Sequence, residues 1–563
     1  MQNIISLQNI SFKYKNSDKK ALDNISLDVE KGKLYVIMGP SRAGKSTLCL
    51  ALNGLVPKLI KGEFQGNVLL SGKNVSEHQV NELTPVIGQV FQDFESQLFS
   101  TNVELEVAFG PENLGFSRED IRRRIDNSLN LVGLSAFNHR QPSTLSGGEK
   151  QRLAIASVLS IEPEVLCLDE PTTDLDPEGK ENVFKICRDL KKDSNRTMII
   201  VEHETEEVLY ADFIILMNNG KILAHNSPEN IFKNIPFLKN IGIMPPQLVE
   251  LFQELGIDEF PINKNHAIES IKKRNFKLSE TKYKELIEKD KKQSASYGDV
   301  VIKTDSLHHK YLNDEEVLRG INLSIRAGEF VSIIGHNGGG KTTLAKHFNG
   351  LLLPSKGDIC IKGKSTKGAS LKELSQLVGF VFQNPDHQIF AQTVYEEVSF
   401  TPKLLGLTES EIDKRVKDSL ESVGLSKFVS EDPFSLTKGD RQKLAVASVL
   451  SSKPEIIILD EPTTGLDYKE LLSMMNLLKG LNSIGHTIII ITHSIHIVAS
   501  YSHRVIVMDR GKILLDGTTR EVFQKEDELA KAHIKLPSLT SLGNSLGYTL
   551  LSIDEFKDIM VKQ

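Results

Sequence analysis

GPSRAGKST, residues 39–47, decides the fold: Gly39, Pro40, Ser41, Arg42, Ala43, Gly44, Lys45, Ser46 and Thr47. The stretch follows an apolar run, KLYVIM, and opens a helical pattern. Glycines there let backbone N–H groups converge on phosphate oxygens, and the start of a helix adds positive potential. Working outward, the pattern returns as GHNGGGKTT: Gly335, His336, Asn337, Gly338, Gly339, Gly340, Lys341, Thr342 and Thr343. VFQDFESQLFS (90–100) returns as VFQNPDHQIFA (381–391), and VLCLDEPTTDLD (165–176) as IIILDEPTTGLD (456–467). Ordered motifs displaced throughout by roughly 290–296 residues mean two copies of one domain.

Short apolar strands alternating with amphipathic helices indicate α/β layers with a largely parallel sheet in each copy. Pro246, Leu248, Leu251, Leu255 and Gly256 are echoed by Pro537, Leu539, Leu542, Leu546 and Gly547, so a helical extension follows each copy. The expected division is a first cassette at 1–235, a helical extension at 236–270, a charged linker at 271–298, a second cassette at 299–530 and a terminal extension at 531–563. The Lys- and Glu-rich stretch reads as a solvated linker with some helix, or alternatively as a nucleic-acid-binding arm.

The 563 residues, 39% hydrophobic and 25% charged, exclude disordered, collagen-like and disulfide-scaffold classes. A net charge of −6 gives no global basic field for nucleic acid. The four cysteines, Cys49, Cys167, Cys187 and Cys360, are scattered and read as small buried hydrophobes in a reducing compartment. No apolar run approaches the roughly 18–20 residues that span a bilayer. The N-terminus lacks the layout of a signal peptide. A cytosolic chain is expected, with any membrane role exerted through a partner.

Phosphate chemistry assigns the remaining motif residues. Lys45 and Lys341 are placed to reach the β- and γ-phosphates, and the hydroxyls of Ser46 and Thr342 to ligate Mg²⁺. Asp169 and Asp460 end buried strands and supply a carboxylate to the metal. Glu170 and Glu461 follow them and are placed to polarise an attacking water. His203 and His493 end the next apolar strand, within reach of the γ-phosphate and that water.

LSGGE (145–149), followed by KQRLAIASVL, resembles the signature of ABC ATPases. The order of phosphate loop, glutamine, signature, Asp-Glu and histidine matches that family in both copies. The resemblance implies two P-loop cassettes, each with an antiparallel β-subdomain and a helical subdomain, closing head to tail over ATP, within the chain or with a second chain. It makes Ser146, Gly147 and Gly148 phosphate contacts, and Gln92 and Gln383 γ-phosphate sensors and metal ligands. Asp176 and Asp467 would cross the cassette interface. Tyr14 and Tyr311 match the aromatic that stacks on adenine, the alternative being ordinary strand aromatics. The second copy departs from the pattern, with LTKGD at 436–440. Thr437 keeps a hydroxyl and Gly439 the second glycine, while Lys438 replaces the first glycine and Asp440 the usual Gln or Glu. Two unequal sites are expected, the Lys45 site pairing with Thr437 and turning over slowly. The alternative is a tolerated variant with two active sites.

FQDFESQLFSTNVELEVAFGPENLG (91–115) and FQNPDHQIFAQTVYEEVSFTPKLLG (382–406) resemble the energy-coupling-factor ATPases of cobalt and vitamin importers. That resemblance implies ATP and Mg²⁺ as cofactors. Its partners are a transmembrane coupling subunit and a substrate-binding membrane subunit, with the chain peripheral on the cytoplasmic face of a prokaryotic membrane and no nucleic acid bound. Gln97, Glu104, Glu106, Gln388, Glu396 and Glu397 are candidates for a groove that accepts an arginine-bearing partner helix; solvated helix charges are the alternative. Another class of ABC transporter and a twin-cassette translation factor are the competing readings. The translation reading conflicts with the short linker, the altered signature and the two histidines. The cargo is not encoded here, since selectivity in the resembling family lies in a separate membrane subunit.

Overall fold

Five consecutive apolar residues, Leu34–Met38, are all buried, as befits a strand covered on both faces. The computed structural model describes residues 2–15, 17–173, 175–193, 196–274, 276–311 and 315–562. They form two compact units, Met1–Ile262 and Asn263–Gln563.

In the first unit, the sheet around Leu34–Met38 runs in the order Lys221–Asn226, Phe213–Asn218, Leu34–Met38, Thr197–Val201, Val165–Asp169, Ile87–Val90. Only Lys221–Asn226 is antiparallel. Parallel pairing sends the C-terminal ends of four strands to one edge, and from these ends run the phosphate loop, His203, Glu170 and Gln92. Alternate side chains of Val165–Asp169 enter different cores. Val165 and Cys167 join Phe12, Tyr35 and Leu48 on the side of an antiparallel sheet. Leu166 and Leu168 join Val107, Leu129 and Leu153 from the helices Val103–Asn113, Arg118–Leu131 and Gly147–Leu159. The antiparallel sheet is built from Leu22–Glu30, Asn3–Tyr14, Gly62–Leu70 and Lys73–Asn74. Its first strand buries Leu22, Ile25, Leu27 and Val29 and exposes Asn24, Ser26 and Asp28, the alternation of a half-covered sheet.

The second unit repeats the plan. Its larger sheet runs Val378–Val381, Ile456–Asp460, Thr487–Ile491, Phe330–Ile334, Arg504–Asp509, Lys512–Thr518, and its smaller one Glu316–Arg326, Val300–Lys310, Lys356–Ile361, Lys364–Ser365. The helices Val394–Leu404, Glu409–Val423 and Lys438–Leu450 pack on the larger sheet's helical side. The α/β reading, with an antiparallel β-subdomain, a helical subdomain and terminal helices, thus holds in both copies.

The terminal helices of the first unit are Pro228–Phe232, Ile235–Ile241 and Gln247–Glu254, the last burying Leu248, Leu251 and Phe252. Residues 263–298 belong to the second unit. The stretch read as a charged linker holds a strand, Phe276–Leu278, and a helix, Glu280–Ala295. That strand pairs antiparallel with Met560–Lys562, and Tyr283 meets Tyr548 edge-on at 5.0 Å. No residue of Glu280–Ala295 is buried, so its polar composition suits a solvated helix. Its anchor is Asp290, which accepts from Arg520 at 2.7 Å. Arg520 is only 5% exposed and also donates to both oxygens of Glu555, at 3.0 and 2.7 Å, and to the Thr549 carbonyl at 2.6 Å. A partner some 230 residues distant leaves no local sign in the linker's own sequence.

Candidate nucleotide-binding sites

The two phosphate loops are shaped by positions that exclude side chains. A Cβ on Gly39 would meet the Met217 carbonyl oxygen at 2.2 Å, and one on Gly335 the Met508 carbonyl oxygen at 2.1 Å. Gly44 and Gly340, with φ of 99° and 96°, turn the chain into the helices Lys45–Leu52 and Lys341–Phe348. The result is a cradle of main chain at each helix start. Lys45 and Lys341, 5% and 6% exposed, fold back across it. Lys45 donates to Gly39 and Pro40 carbonyls at 3.0 Å, and Lys341 to Gly335 and His336 carbonyls at 2.9 Å.

The neighbouring strand brings the acidic pair. Ser46 Oγ donates to Asp169 Oδ1 at 3.1 Å, and Thr342 Oγ1 to Asp460 Oδ2 at 2.8 Å. Burial, helped by the charge of Glu170, pushes the Asp169 carboxyl up to about 6 against the pull of Ser46 and Lys45. Burial likewise raises Asp460, opposed by Thr342 and Lys341. Burial would also raise Glu170, but the bond and charge of His203, with the charge of Lys45, hold it below the usual carboxylate range. Adjacent carboxyls are thereby separated in protonation. Glu170 and Glu461 sit at φ of 47° and 48°, a region costly for a side-chain-bearing residue. Their N–H groups donate to the Val201 and Ile491 carbonyls, so pairing with the histidine-bearing strand holds that conformation.

Around Glu170, Gln92 Nε2 donates to Oε2 at 2.7 Å, His203 Nε2 lies 2.9 Å from Oε1, and Thr173 donates at 3.3 Å. In the second unit His493 Nε2 lies 3.3 Å from Glu461 Oε1, and the His493 N–H donates to Glu461 Oε2 at 3.3 Å. Gln383 is exposed at the position matching Gln92. The Tyr14 hydroxyl is 2.9 Å from Thr47 Oγ1 and the Tyr311 hydroxyl 3.2 Å from Thr343 Oγ1, which puts both rings beside the first turn of the loop helix. Within each unit, loop lysine, hydroxyl, acidic pair and histidine therefore gather at one sheet edge, and the tyrosine lies at the same helix start.

The signatures lie elsewhere in each unit. Ser146 caps Gly147–Leu159 in a reciprocal box with Glu149, and Thr437 caps Lys438–Leu450 by accepting from Asp440 N at 3.0 Å. Gly147 is open and Gly148 half-buried. Gly439 is buried instead, with the Glu470 carboxylate where a Cβ would meet it at 2.7 Å. Lys438 Nζ lies close over Gly465.

The candidate groove residues separate into two kinds. Glu106, 3% exposed, accepts the N–H groups of Phe99 and Ser100 at 3.0 and 2.7 Å; Glu397, 2% exposed, accepts those of Phe390 and Ala391 at 3.0 and 3.1 Å. They hold the loop from inside and face no partner. Gln97 and Gln388 accept from Phe91 and Phe382 N–H at 3.3 and 3.2 Å, tying the same loop to the strand end before Gln92 and Gln383. Glu104 is half-exposed and Glu396 exposed. The sequence reading missed the apolar part of this surface. Phe99 and Phe109, 61% and 47% exposed, meet edge-on at 4.6 Å, and Phe390 and Phe400 repeat the pair at 4.8 Å. Their recurrence in both copies was the available signal. Next to Phe99 lies a cavity of about 410 Å³ lined in part by Glu95, Leu98, Thr101, Gln141 and Lys150.

Among the described residues no helix is long and apolar enough to cross a membrane. The sequence profile described as ABC transporter matches residues 22–173 and 318–464. A protein of Caldanaerobacter subterraneus subsp. tengcongensis, provisionally named an ABC transporter ATP-binding protein, is 50% identical over 98% of each chain. One of Methanosarcina mazei with the same provisional name is 39% identical, covering 99% of this chain and 97% of its own. Among solved structures, cbiO1 from Clostridium perfringens, described as part of the ABC transporter complex cbiONQ, is 38% identical. It covers 43% of this chain and 97% of its own, with a TM-score of 0.39.

Proposed function

Because the chain belongs to the family of ABC transporter ATP-binding proteins, we propose that it hydrolyses ATP at two sites to energise a membrane importer of the energy-coupling-factor type. The observation that carries the hydrolytic part is the gathering of Lys45, Ser46, Asp169, Glu170, Gln92 and His203 at one sheet edge, matched by Lys341, Thr342, Asp460, Glu461 and His493. The side-chain-free loops fit phosphate, and the paired hydroxyl and carboxylate fit Mg²⁺. Ser46 and Asp169 with Gln92, or Thr342 and Asp460 with Gln383, would hold that ion, which neutralises charge on the transferring phosphoryl group. Lys45 and Lys341 exchange loop carbonyls for β- and γ-phosphate oxygens. Glu170 and Glu461 orient the attacking water, and His203 and His493 steady those carboxylates. Tyr14 and Tyr311 stack on adenine.

In the pairing proposed, ATP on the Lys341 loop meets Ser146, Gly147 and Gly148, and ATP on the Lys45 loop meets Thr437 and Gly439. Glu470 over Gly439 supports unequal turnover, since a carboxylate there repels phosphate. The complete catalytic set in both units supports the alternative of two equal sites. Comparing steady-state ATPase rates decides between them: Glu461→Gln lowers the rate by about 10²-fold or more, and Glu170→Gln by less than about twofold. Equal losses would sink the asymmetry.

The importer part rests on residues 91–115 and 382–406 and on the exposed aromatic pairs beside a groove. A partner helix seats apolar side chains on Phe99 and Phe109 and an arginine against Glu104; Phe390, Phe400 and Glu396 do the same in the second unit. The partners are a transmembrane coupling subunit and a substrate-binding subunit for a vitamin, cobalt or similar micronutrient, with this chain on the cytoplasmic face. Co-purification of such membrane proteins with the tagged chain, lost in Phe99→Asp combined with Phe390→Asp, tests this reading.

A further inference from the structure

Glu202 is 3% exposed and lies immediately before His203. Its carboxylate accepts three hydrogen bonds that join two loops. Oε1 takes the backbone N–H of His203 at 2.7 Å and that of Glu204 at 3.2 Å. Oε2 takes the hydroxyl of Thr172 at 2.7 Å, a side chain 2% exposed and two residues beyond Glu170. A single buried carboxylate thus fastens the loop of the water-orienting glutamate to the loop of the histidine. Burial raises its carboxyl, and the charge of Glu204 adds to this, against the donors Thr172 and His203. Such a group is held there only by its complete set of donors.

The second unit places Thr492 at this position, 1% exposed, and its hydroxyl accepts from Ser494 N–H at 3.1 Å. Its reach is too short to span the loops. There the N–H of His493 donates to Glu461 itself, at 3.3 Å. The exchange of one residue therefore redirects a backbone donor. Where Glu202 is present it captures the histidine N–H, and Glu170 is held by Gln92, Thr173 and the His203 ring. Where threonine stands, the histidine N–H falls to the catalytic carboxylate.

Resting on the ATPase reading above, we infer that Glu202 is a positioning residue of the first site: by holding the His203 backbone and Thr172, it keeps the Glu170 carboxylate and the His203 ring in register for the attacking water. Threonine here is too short to reach the Thr172 hydroxyl, so the loops of Glu170 and His203 are no longer fastened and the chemical step slows while ATP binding persists. Glutamine preserves the arrangement, because its oxygen accepts the two N–H groups and its nitrogen donates to Thr172 Oγ1.

The test uses full-length chains carrying Glu461→Gln, so that cleavage of prebound ATP reports the first site. Single-turnover rate per bound nucleotide and ATP affinity are measured for the parent, for Glu202→Thr and for Glu202→Gln. Normalising to bound nucleotide removes any loss of folded protein, and melting temperature is recorded in parallel. The expected result is a rate per bound nucleotide lower by about tenfold in Glu202→Thr, affinity within about twofold, and recovery in Glu202→Gln. An unchanged rate in Glu202→Thr, or an equal fall in both variants, overturns the positioning role while leaving the ATPase reading in place. A parent that binds but never cleaves ATP overturns the positioning role together with hydrolysis at the first site, and absence of turnover in the chain with Glu461 intact overturns the ATPase reading.

Discussion

Asp169 shows how far one side chain is set by its surroundings. Its carboxyl, raised to about 6 by burial and by Glu170, is costly to keep ionised without a cation beside it. The folded-state value lies above the unfolded one, so the stabilisation is full below about pH 4 and is lost as pH rises through 6. Asp169→Asn is therefore expected to stabilise the nucleotide-free first unit at pH 7.5 by up to about 2–3 kcal/mol, read by thermal melting across pH, while abolishing Mg²⁺-dependent turnover there. Mg²⁺ binding to this unit should release protons near pH 6, measurable by calorimetry in two buffers of different ionisation enthalpy. The gathering of Lys45, Ser46, Asp169 and Glu170 at one sheet edge could be read from the sequence because strand, loop and helix follow in unbroken order there. Glu202 could not: its work lies in Thr172 and two backbone N–H groups, and a carboxylate after an apolar strand looks the same whether buried or solvated.

At the scale of the element, the helix Val103–Asn113 divides its glutamates. Glu104 and Glu106 both lie in its first turn and look alike in sequence, yet one is half-exposed and the other accepts two N–H groups of the preceding loop. Only the fold-back of residues 98–100 distinguishes them. Glu106→Ala leaves those donors unpaired and is expected to cost about 2–3 kcal/mol and to weaken partner assembly by loosening Phe99. Glu104→Lys should leave the melting temperature unchanged and weaken assembly alone. If both variants melt like the parent, the inner role assigned to Glu106 fails. The strands were easier to foresee. All-buried Val165–Asp169 and Thr487–Ile491 need neighbours on both faces, which leaves little choice but a parallel sheet between helical layers.

Across the whole molecule, duplication made the architecture readable from the sequence, since each motif vouches for its twin. What escaped was the role of residues 263–298, whose partners Arg520, Tyr548 and Met560–Lys562 lie far along the chain. Glu555→Ala removes two bonds from the buried Arg520 guanidinium and is expected to destabilise the second unit by about 3 kcal/mol. Calorimetry should show the transition of that unit lowered and that of the first unmoved; a shift in both would contradict the division at residue 262. The pairing of Phe276–Leu278 with Met560–Lys562 also has a consequence during synthesis. The first unit is complete in sequence before the second begins, so it can collapse on the ribosome as it emerges. The early strand of the second must wait for its mate, at translation rates of about 5–20 residues per second, for roughly 15–60 s. Through that interval its charged, solvated neighbour Glu280–Ala295 gives a nascent chain little to aggregate with.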